Sequence, residues 1–366
     1  MKIEIKRETL LKPLQAVIGV VERRQTLPVL ANVLLIADDQ GLGLTTTDLE
    51  VELSARVDVP IAEAGQITVP ARKLMDIVRN LPEGSDIRIA VEQDRALISS
   101  ERSRFNLTTL PATEFPTVDD IGESQPLLLS QGNLRRLIEK TQFSMALQDV
   151  RYYLNGLLLE LEPERLRAVA TDGHRLALGE VAGAVDIAES KQVIVPRKGV
   201  QELLRLLGDD DSEVRVELGS NHLRVTLSEL RFTSKLIDGR FPEYQRVIPA
   251  VEDRILLADR NALRQALVRA SILSNEKYRG VRFMVDSGSL RIQSNNPEQE
   301  EAVEELSVDY DGAPLEIGFN ASYLLDAIGA IDTEQVSIGL VDANSSCLVT
   351  AAGDATHQYV VMPMRL

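Results

Sequence analysis

Cysteine and tryptophan are nearly missing from this sequence. Its 366 residues include a single cysteine, Cys347, and no tryptophan, and aromatic residues make up only 4%. One cysteine excludes an intrachain disulfide and a cysteine-rich metal site, which fits a reducing compartment. So few aromatic side chains argue against a protein that holds nucleic acid mainly by stacking many bases.

Long apolar runs are missing too. No run approaches the roughly 20 residues that a membrane-spanning helix needs, and the opening MKIEIKRETLLKPLQ has neither the apolar region nor the cleavage site of a secretory signal. With 44% hydrophobic and 26% charged residues, the chain has the composition of a folded protein. We expect a cytoplasmic protein of two or three domains with no membrane partner.

Positive charge is in deficit. The chain has 40 lysines and arginines against 56 aspartates and glutamates, which gives a formal net charge of -16. A DNA phosphate backbone repels such a molecule, so tight binding through a globally basic surface is excluded. A role on DNA then requires basic residues gathered on one face, or a topological hold that needs little affinity.

The chain also lacks a recognisable catalytic or metal-binding motif. HExxH, CxxC, GxGxxG and GxxxxGK[ST] are absent, and the three histidines, His174, His222 and His357, lie in unrelated contexts. The stretch TDGHRL places Asp172 near His174 as an acid–base pair would be, but no nucleophile or metal-ligand set accompanies them. We therefore predict no catalytic residue, no metal and no cofactor.

A weak internal repeat is what the sequence does contain. Similar stretches start at Ile67, Val193 and Leu315: ITVPARKLMDIVRNLPEGSDIRIAV, VIVPRKGVQELLRLLGDDDSEVRVEL and LEIGFNASYLLDAIGAIDTEQVSIGL. Each predicts a strand, an amphipathic helix, a polar turn and another strand. The starts are separated by about 125 residues, which is near the usual size of one domain.

A second helix-and-strands stretch precedes each of these, so each domain contains two similar halves. One helix followed by several strands, six times over, lacks the strict alternation of a parallel sheet. The sequence therefore predicts an α+β fold of three similar domains, each with two helices and antiparallel sheets. Polar stretches that contain proline predict the domain ranges 1–120, 127–246 and 247–366.

This sixfold pattern resembles the bacterial DNA polymerase III beta subunit family, the sliding clamps, along the whole chain. Ten stretches in the family's order carry the resemblance: TLPVLANVLL, TDLEVE, TVPARKL, QDVRYYLNG, TDGHRLAL, VPRKG, DGRFPEYQRV, ILSNEKYRGVR, NNPEQEEA and YVVMPMRL. The resemblance implies the DNA clamp fold and a head-to-tail homodimeric ring, with helices inside and sheets outside. It also implies a non-catalytic processivity factor that encircles duplex DNA without sequence preference.

The resemblance implies three groups of functional residues, of which the first contacts DNA. At the DNA it places Arg24, Gln148, Tyr152 and Tyr153. Basic residues that open predicted helices add Arg72, Arg197 and Lys198 as candidates for phosphate contacts. The competing interpretation is that such residues are simply solvated, and that one of the two adjacent tyrosines belongs to the core.

The second group is a cleft for short peptide motifs of the polymerase III catalytic subunit, the clamp loader, other polymerases and repair proteins. By resemblance it comprises Leu154, Thr171, Gly173, His174, Arg175, Leu176, Pro242, Arg246, Val247, Asn320, Tyr323, Ser346, Val360, Val361, Met362, Pro363, Met364, Arg365 and Leu366. The apolar, methionine-rich ending YVVMPMRL supports this, because a chain terminus is ordinarily polar and frayed. The alternative for Tyr359 to Val361 is a final edge strand within its own domain.

The third group forms the dimer interface, where the family pairs RFNLTTL with the end of a basic helix. By resemblance this group includes Phe105, Leu107, Ile272 and Leu273. Charge complementarity adds the basic residues Lys73, Arg102 and Arg104 and the acidic residues Glu298, Glu300, Glu301 and Glu304.

Two other function classes compete with the clamp. An enzyme of unknown chemistry would require a perturbed carboxylate or histidine in a deep cleft. A peptide-binding scaffold protein without a DNA role would show no clustering of basic residues on the inner wall of a ring.

Overall fold

The computed structural model describes residues 1–22, 27–118, 121, 126–182, 190–251 and 253–365. The chain divides into two compact units, which are described separately. The first contains residues 1–135 and 198–236, and the second contains residues 136–197 and 237–366. In the described part of the chain, no helix is both long and apolar enough to cross a membrane.

The described residues form six α-helices and 25 strands. The helices are α1 (Arg7–Val17), α2 (Ala71–Asn80), α3 (Gln131–Glu139), α4 (Arg197–Leu206), α5 (Arg260–Ser271) and α6 (Ala321–Gly329). The strands up to the third helix are β1 (Lys2–Lys6), β2 (Asn32–Asp38), β3 (Gly41–Thr47), β4 (Val51–Val57), β5 (Ile61–Glu63), β6 (Gly65–Pro70), β7 (Asp86–Glu92), β8 (Arg95–Ser100), β9 (Ser103–Thr108) and β10 (Leu127–Ser130).

The remaining strands alternate with helices in the same order. They are β11 (Gly156–Glu162), β12 (Arg165–Thr171), β13 (Arg175–Ala182), β14 (Lys191–Pro196), β15 (Glu213–Leu218), β16 (His222–Leu227), β17 (Leu230–Lys235), β18 (Ile255–Asp259), β19 (Gly280–Asp286), β20 (Ser289–Asn295), β21 (Glu301–Ser307), β22 (Leu315–Asn320), β23 (Gln335–Gly339), β24 (Cys347–Ala351) and β25 (Asp354–Val361).

The order of these elements confirms the predicted repeat. Apart from the short β5, the described chain is six copies of one strand, one helix and three strands, which begin at β1, β6, β10, β14, β18 and β22. The two copies of a domain interlock, because the strand before each helix pairs with the first strand after the other helix. Thus β1 pairs with β7 while β6 pairs with β2, and all these pairs are antiparallel.

The helices form because their apolar residues recur on one face. In α2, Ala71, Leu74, Met75 and Val78 are buried at the spacing of successive helical turns, while Arg72 and its neighbour Lys73 are exposed. In α6 the same spacing buries Ala321, Leu324, Ala327 and Ile328. Burial of such side chains contributes about 1.5–3 kcal/mol for each large one, which stabilises the helices against their sheets.

Each unit contains two sheets. In the first unit they run β5-β1-β7-β8-β9 and β10-β15-β16-β17-β4-β3-β2-β6. In the second unit they run β14-β11-β12-β13-β25-β24-β23-β18 and β21-β20-β19-β22. Each eight-stranded sheet therefore combines strands of four of the six copies, and the pairs β17–β4 and β13–β25 join its two halves.

The last strand corrects one alternative from the sequence. Tyr359 to Val361 do not form an edge strand, because β25 lies between β24 and β13 and pairs with both. Val360 stands opposite Leu176 on one side and Leu348 on the other. A strand with two neighbours is buried on both edges, so these three residues are each 1% exposed.

Candidate functional site

A small cavity of about 160 Å³ in the second unit brings together much of the predicted cleft. Nine of the predicted residues line it: Leu154, Thr171, Gly173, Arg175, Leu176, Pro242, Val247, Val360 and Met362. They come from the end of a short 3-10 turn, the β12–β13 connection, the segment after β17 and the C-terminal strand. Segments far apart in sequence therefore meet at one apolar depression.

The β12–β13 connection owes its shape to local hydrogen bonds. The Asp172 carboxylate accepts hydrogen bonds from the backbone N–H groups of His174, at 2.9 Å, and Arg175, at 3.0 Å. Gly173 has φ +88, and a Cβ there would lie 2.9 Å from the Arg151 guanidinium. The positive φ favours glycine at this position, whereas the far end of the flexible Arg151 side chain could move aside. Asp172 thus has a structural task here, as a turn-forming residue.

The C-terminal segment is fixed by its backbone after β25 ends. The N–H of Met362 donates to the carbonyl of His174 at 3.0 Å, and the N–H of Met364 donates to the carbonyl of Gly318 at 2.9 Å. The side chains of residues 362–364 are half-buried. An ordered, partly apolar ending therefore forms one side of the depression, with methionines that adapt to different contacts.

Arg175 connects this depression to α6. Its guanidinium pairs with Asp172 at 3.1 Å and with Asp326, and it stacks over the Tyr323 ring at 4.6 Å from the centroid. Asn320 caps α6 by accepting hydrogen bonds from the N–H groups of Ser322 and Tyr323. Tyr323 therefore lies beside Arg175, although it does not line the small cavity.

The other predicted cleft residues do not line this cavity. They are His174, Arg246, Asn320, Tyr323, Ser346, Val361, Pro363, Met364 and Arg365. Leu366 lies outside the described residues. The structure in turn adds three lining residues that the sequence reasoning missed: Arg151, Glu243 and Tyr244. Arg151 and Tyr244 stand inside the quoted stretches QDVRYYLNG and DGRFPEYQRV, but nothing in those strings distinguishes them from their neighbours.

The loop before the cavity carries three of the predicted DNA contacts. Tyr152 is 57% exposed, whereas Tyr153 is half-buried and packs against the apolar cluster under the cavity. Their rings meet edge to face, with centroids 5.8 Å apart. Gln148 is exposed, in a left-handed backbone conformation with φ +56. Of the two tyrosines, Tyr152 is the one that is free to stack on a base.

Hydrogen bonds within the loop hold its shape. Arg151 donates from two nitrogens to the Asp149 carboxylate, at 3.0 and 2.9 Å. Those hydrogen bonds lower the pKa of Asp149 to about 2. The loop therefore keeps this ion pair throughout the physiological pH range.

Several predicted basic contacts are already engaged within the chain. Arg72 donates to the carbonyl of Val21, and Arg197 donates to the carbonyl of Met145 at 3.2 Å. Lys198 pairs with both Glu22 and Asp48. Burial by itself would lower the pKa of Lys198, but the hydrogen bonds to these two carboxylates outweigh it and the pKa is raised. Arg24 lies outside the described residues.

Two further helix arginines donate to backbone carbonyls at or just after the end of another helix. Arg7, at the start of α1, donates to the carbonyls of Val78 and Arg79 at the end of α2, at 3.0 and 2.8 Å. Arg135 donates to the carbonyl of Leu207 just after α4, at 2.6 Å. The last carbonyls of a helix have no partner within it, so these arginines satisfy them. Some basic residues on the helices therefore connect one helix to another within the chain.

Most of the proposed interface residues lie on or beside two sheet edges, one in each unit, whereas Lys73 lies on α2. On the edge strand β9, Phe105 is half-buried and Leu107 is 8% exposed, on one face, while Arg102 and Arg104 nearby are exposed. On the edge strand β21, Glu304 is paired with Arg269 of α5 at 2.6 Å. Glu298, Glu300 and Glu301 are exposed.

The end of α5 is the most exposed apolar site of this group. Ile272 is 70% exposed and Leu273 is half-buried. Ile272 directly follows α5, the helix whose Arg269 pairs with Glu304 of the edge strand β21.

Family models of known proteins match the chain in three successive parts. Residues 1–119 match the N-terminal domain of the DNA polymerase III beta subunit, residues 128–243 the central domain and residues 245–365 the C-terminal domain. Together the three models span almost the entire sequence, in the order of that family.

Individual relatives agree with this along their full length. The chain is 58% identical to the beta sliding clamp of Pseudomonas putida, with 100% of both chains covered. It is 57% identical to a solved DNA polymerase III subunit beta from Pseudomonas aeruginosa, with a TM-score of 0.98 and 100% of both chains covered. A solved sliding clamp from the same species bound to griselimycin is 57% identical, with a TM-score of 0.96 and the same coverage.

Proposed function

Because this chain belongs to the DNA polymerase III beta subunit family, we propose that it acts as a sliding clamp. It is a homodimeric ring and processivity factor that encircles duplex DNA, slides without sequence preference and has no chemistry of its own. The observation that carries this is the match of all three family domains, in order, to a chain built from six copies of one structural unit. The ranges 1–120, 127–246 and 247–366 are the proposed clamp domains.

The charge of the chain favours retention on DNA by encirclement rather than by tight binding. The net charge is -16, and three of the predicted phosphate contacts, Arg72, Arg197 and Lys198, bond to groups of the chain itself. Few phosphate contacts mean weak, salt-sensitive attraction, which allows the protein to move along DNA. Closure around the duplex then prevents escape without requiring affinity.

The direct test uses the topology of the DNA. We expect the protein, once loaded by a clamp loader, to stay on a closed circular plasmid during gel filtration and to leave within minutes when a restriction enzyme cuts that plasmid. Nicking the same plasmid on one strand is the matched control, because it leaves the circle closed. Equal loss from cut and intact circles would refute the clamp and favour a scaffold protein without a DNA role.

The partners proposed for the cavity are short peptide segments. The polymerase III catalytic subunit, the clamp loader, other polymerases and repair proteins would compete for it, all in the cytoplasm. Support comes from the apolar lining, which includes Leu154, Leu176, Val247 and Val360, and from the methionine at its rim. A peptide motif that inserts a few apolar side chains fits such a depression, at micromolar affinity of about 8 kcal/mol.

Ring closure is proposed to use the two open edges. In this proposal β9 of one protomer extends the sheet of β21 in its partner, and Ile272 and Leu273 cover the helices on that side. Edge strands expose unpaired N–H and C=O groups, and a head-to-tail dimer removes them by continuing each sheet. Exposed charges such as Arg104 and Glu301 would orient the partners, at about 0.2–1 kcal/mol per pair.

The loop of residues 147–152 gives a further test of DNA contact. We expect Tyr152→Ala to weaken binding to single-stranded DNA about five- to a hundredfold, because one base loses its stacking partner. The melting temperature should stay unchanged, since the ring is 57% exposed. Fluorescence anisotropy with a labelled oligonucleotide measures the affinity.

The control for this variant lies in the same loop. Val150 is 96% exposed, so Val150→Ala removes apolar surface without removing an aromatic ring, and it should bind DNA as the unchanged protein does. A Tyr152→Ala protein with unaltered affinity would remove Tyr152 from the DNA contacts.

A further inference from the structure

Four polar residues form one row across the central sheet of the second unit. In the register of β14, β11, β12 and β13, Gln192 stands opposite Glu160, Glu160 opposite Arg167, and Arg167 opposite Glu180. Directly opposed side chains on neighbouring strands point to the same face of a sheet. A continuous polar row thus crosses four strands on the face that also holds Tyr244.

Hydrogen bonds join the row into a network. The Glu160 carboxylate accepts from Gln192 at 2.5 Å and from Arg167 at 2.9 Å, and Arg167 also donates to Glu180 at 3.1 Å. Glu160 is 4% exposed. Burial would raise the pKa of Glu160, but the hydrogen bonds from Tyr244, Gln192 and Arg167 outweigh it and the pKa is lowered. The buried carboxylate is therefore charged at neutral pH.

Tyr244 completes the network from outside the sheet. Its hydroxyl donates to Glu160 at 2.5 Å and accepts from Arg167 at 2.8 Å. Burial, together with the hydrogen bond to Glu160, raises the pKa of Tyr244 to about 12, so the hydroxyl keeps its proton at neutral pH. Hydrogen bonds to a buried charge are about twice as strong as neutral ones.

The segment that carries Tyr244 has little else to hold it. Among the described residues, no backbone hydrogen bond joins residues 238–250 to a strand. The contacts that fix it are side chains, because Phe241 and Tyr244 are buried in the apolar cluster of this sheet. Pro242, Glu243 and Val247 of the same segment line the cavity. One wall of the cavity thus depends on the buried rings of Phe241 and Tyr244, on the half-buried Ile248 and on the Tyr244 hydroxyl.

The corresponding row in the first unit has no such network. There Gln66 stands opposite Ile36, Ile36 opposite Gly43, and Gly43 opposite Arg56. An open groove of about 370 Å³ lies over these last three residues. The repeat therefore carries the charged row and its tyrosine in the unit that has the peptide cavity, and a different row in the other.

We propose that Tyr244 is a positioning residue for peptide binding, which holds residues 242–247 as a preformed wall of the cavity through its hydroxyl. This rests on the proposed function. A wall that is ordered before the ligand arrives spares the complex the entropy of ordering it, so affinity is higher. Loss of the hydroxyl loosens the wall and leaves the sheet intact, because Glu160 keeps two other donors.

The test is Tyr244→Phe, titrated in a calorimeter with griselimycin, the compound bound to the solved Pseudomonas aeruginosa relative, as the probe. We expect binding about ten- to thirtyfold weaker than in the unchanged protein, which is the lower part of the range for the loss of one hydrogen bond to a charged group. Tyr310→Phe is the matched control: Tyr310 is likewise 3% exposed, and its hydroxyl donates to the carbonyl of Ala313 at 2.7 Å, away from the cavity lining. That variant should bind as the unchanged protein does.

A second measurement separates positioning from simple loss of stability. Val247→Ala removes an apolar contact of the same wall. If both residues act through that wall, adding Tyr244→Phe to Val247→Ala should weaken griselimycin binding by less than about threefold beyond the loss in Val247→Ala alone. Should Tyr244→Phe fold poorly, Glu160→Gln takes its place, since it keeps an acceptor for the hydroxyl but removes the charge. We expect that variant to bind about three- to fivefold more weakly.

The outcomes are distinct. Affinity of Tyr244→Phe within twofold of the unchanged protein, or an equal loss in Tyr310→Phe, would overturn the positioning role. Fully multiplicative losses in the double variant would overturn it as well, because they indicate independent effects. Failure of the unchanged protein to bind griselimycin at all would instead refute the proposed cleft, and with it the premise of this role.

Discussion

A chain that ends at Val361, with residues 362–366 removed, is expected to bind the probe griselimycin more than a hundredfold more weakly than the full chain and to support no processive synthesis by polymerase III. Met362 lines the cavity directly, and its backbone N–H holds the β12–β13 connection through the carbonyl of His174. The deletion removes one side of the depression and also loosens the turn beside it. Calorimetry and primer extension on circular DNA measure the two effects.

The same deletion should leave the fold and the dimer unaltered. The strand β25 ends at Val361, so all its pairs with β13 and β24 remain. The melting temperature should therefore fall by only a few degrees, as expected for the loss of a terminal segment with one or two backbone hydrogen bonds. Griselimycin affinity that survives the deletion would place the ligand site elsewhere.

The second large effect is expected at the proposed dimer interface. Leu273→Asp should convert the dimer into a monomer of 40.4 kDa at micromolar concentration, as measured by sedimentation velocity. A carboxylate that loses water in the interface without a cationic partner costs several kcal/mol. That exceeds what the surrounding exposed ion pairs contribute, at about 0.2–1 kcal/mol each.

Two further variants make this result specific. Ile272→Asp should act in the same direction with less effect on the protomer, because Ile272 is 70% exposed and its replacement disturbs no core. Leu128→Asp is the matched control, since Leu128 is 49% exposed on β10, which belongs to neither the sheet of β9 nor the sheet of β21. A Leu273→Asp protein that still sediments at twice the mass of the chain would exclude this surface as the contact between protomers.

The fold was predictable because its signals are local. The spacing of Leu74 and Val78, or of Leu324 and Ile328, is visible within one helix, and both pairs are buried in the structure. The family followed from ten short stretches in a fixed order. What failed was the placement of β25, because pairing between distant strands leaves no trace in the composition of either strand.

The site was less predictable, for the same reason. Tyr244 reaches Glu160 across 84 positions of sequence, and Lys198 reaches Glu22 across 176. No spacing rule connects such pairs. The sequence therefore did not indicate Tyr244, and it suggested Lys198 as a DNA phosphate contact without indicating its carboxylate partner. The predicted roles in DNA contact, peptide binding and dimerisation remain predictions, and the variants described above test them.

The position of β25 has a consequence for how the protein is made. About 170 residues separate β13, which ends at Ala182, from its neighbour β25, which begins at Asp354. At about 5–20 residues per second, a ribosome takes about 10–35 s to cover that distance. During that interval β13 is paired on one side only, with β12, and its other edge stays open until β25 has been synthesised.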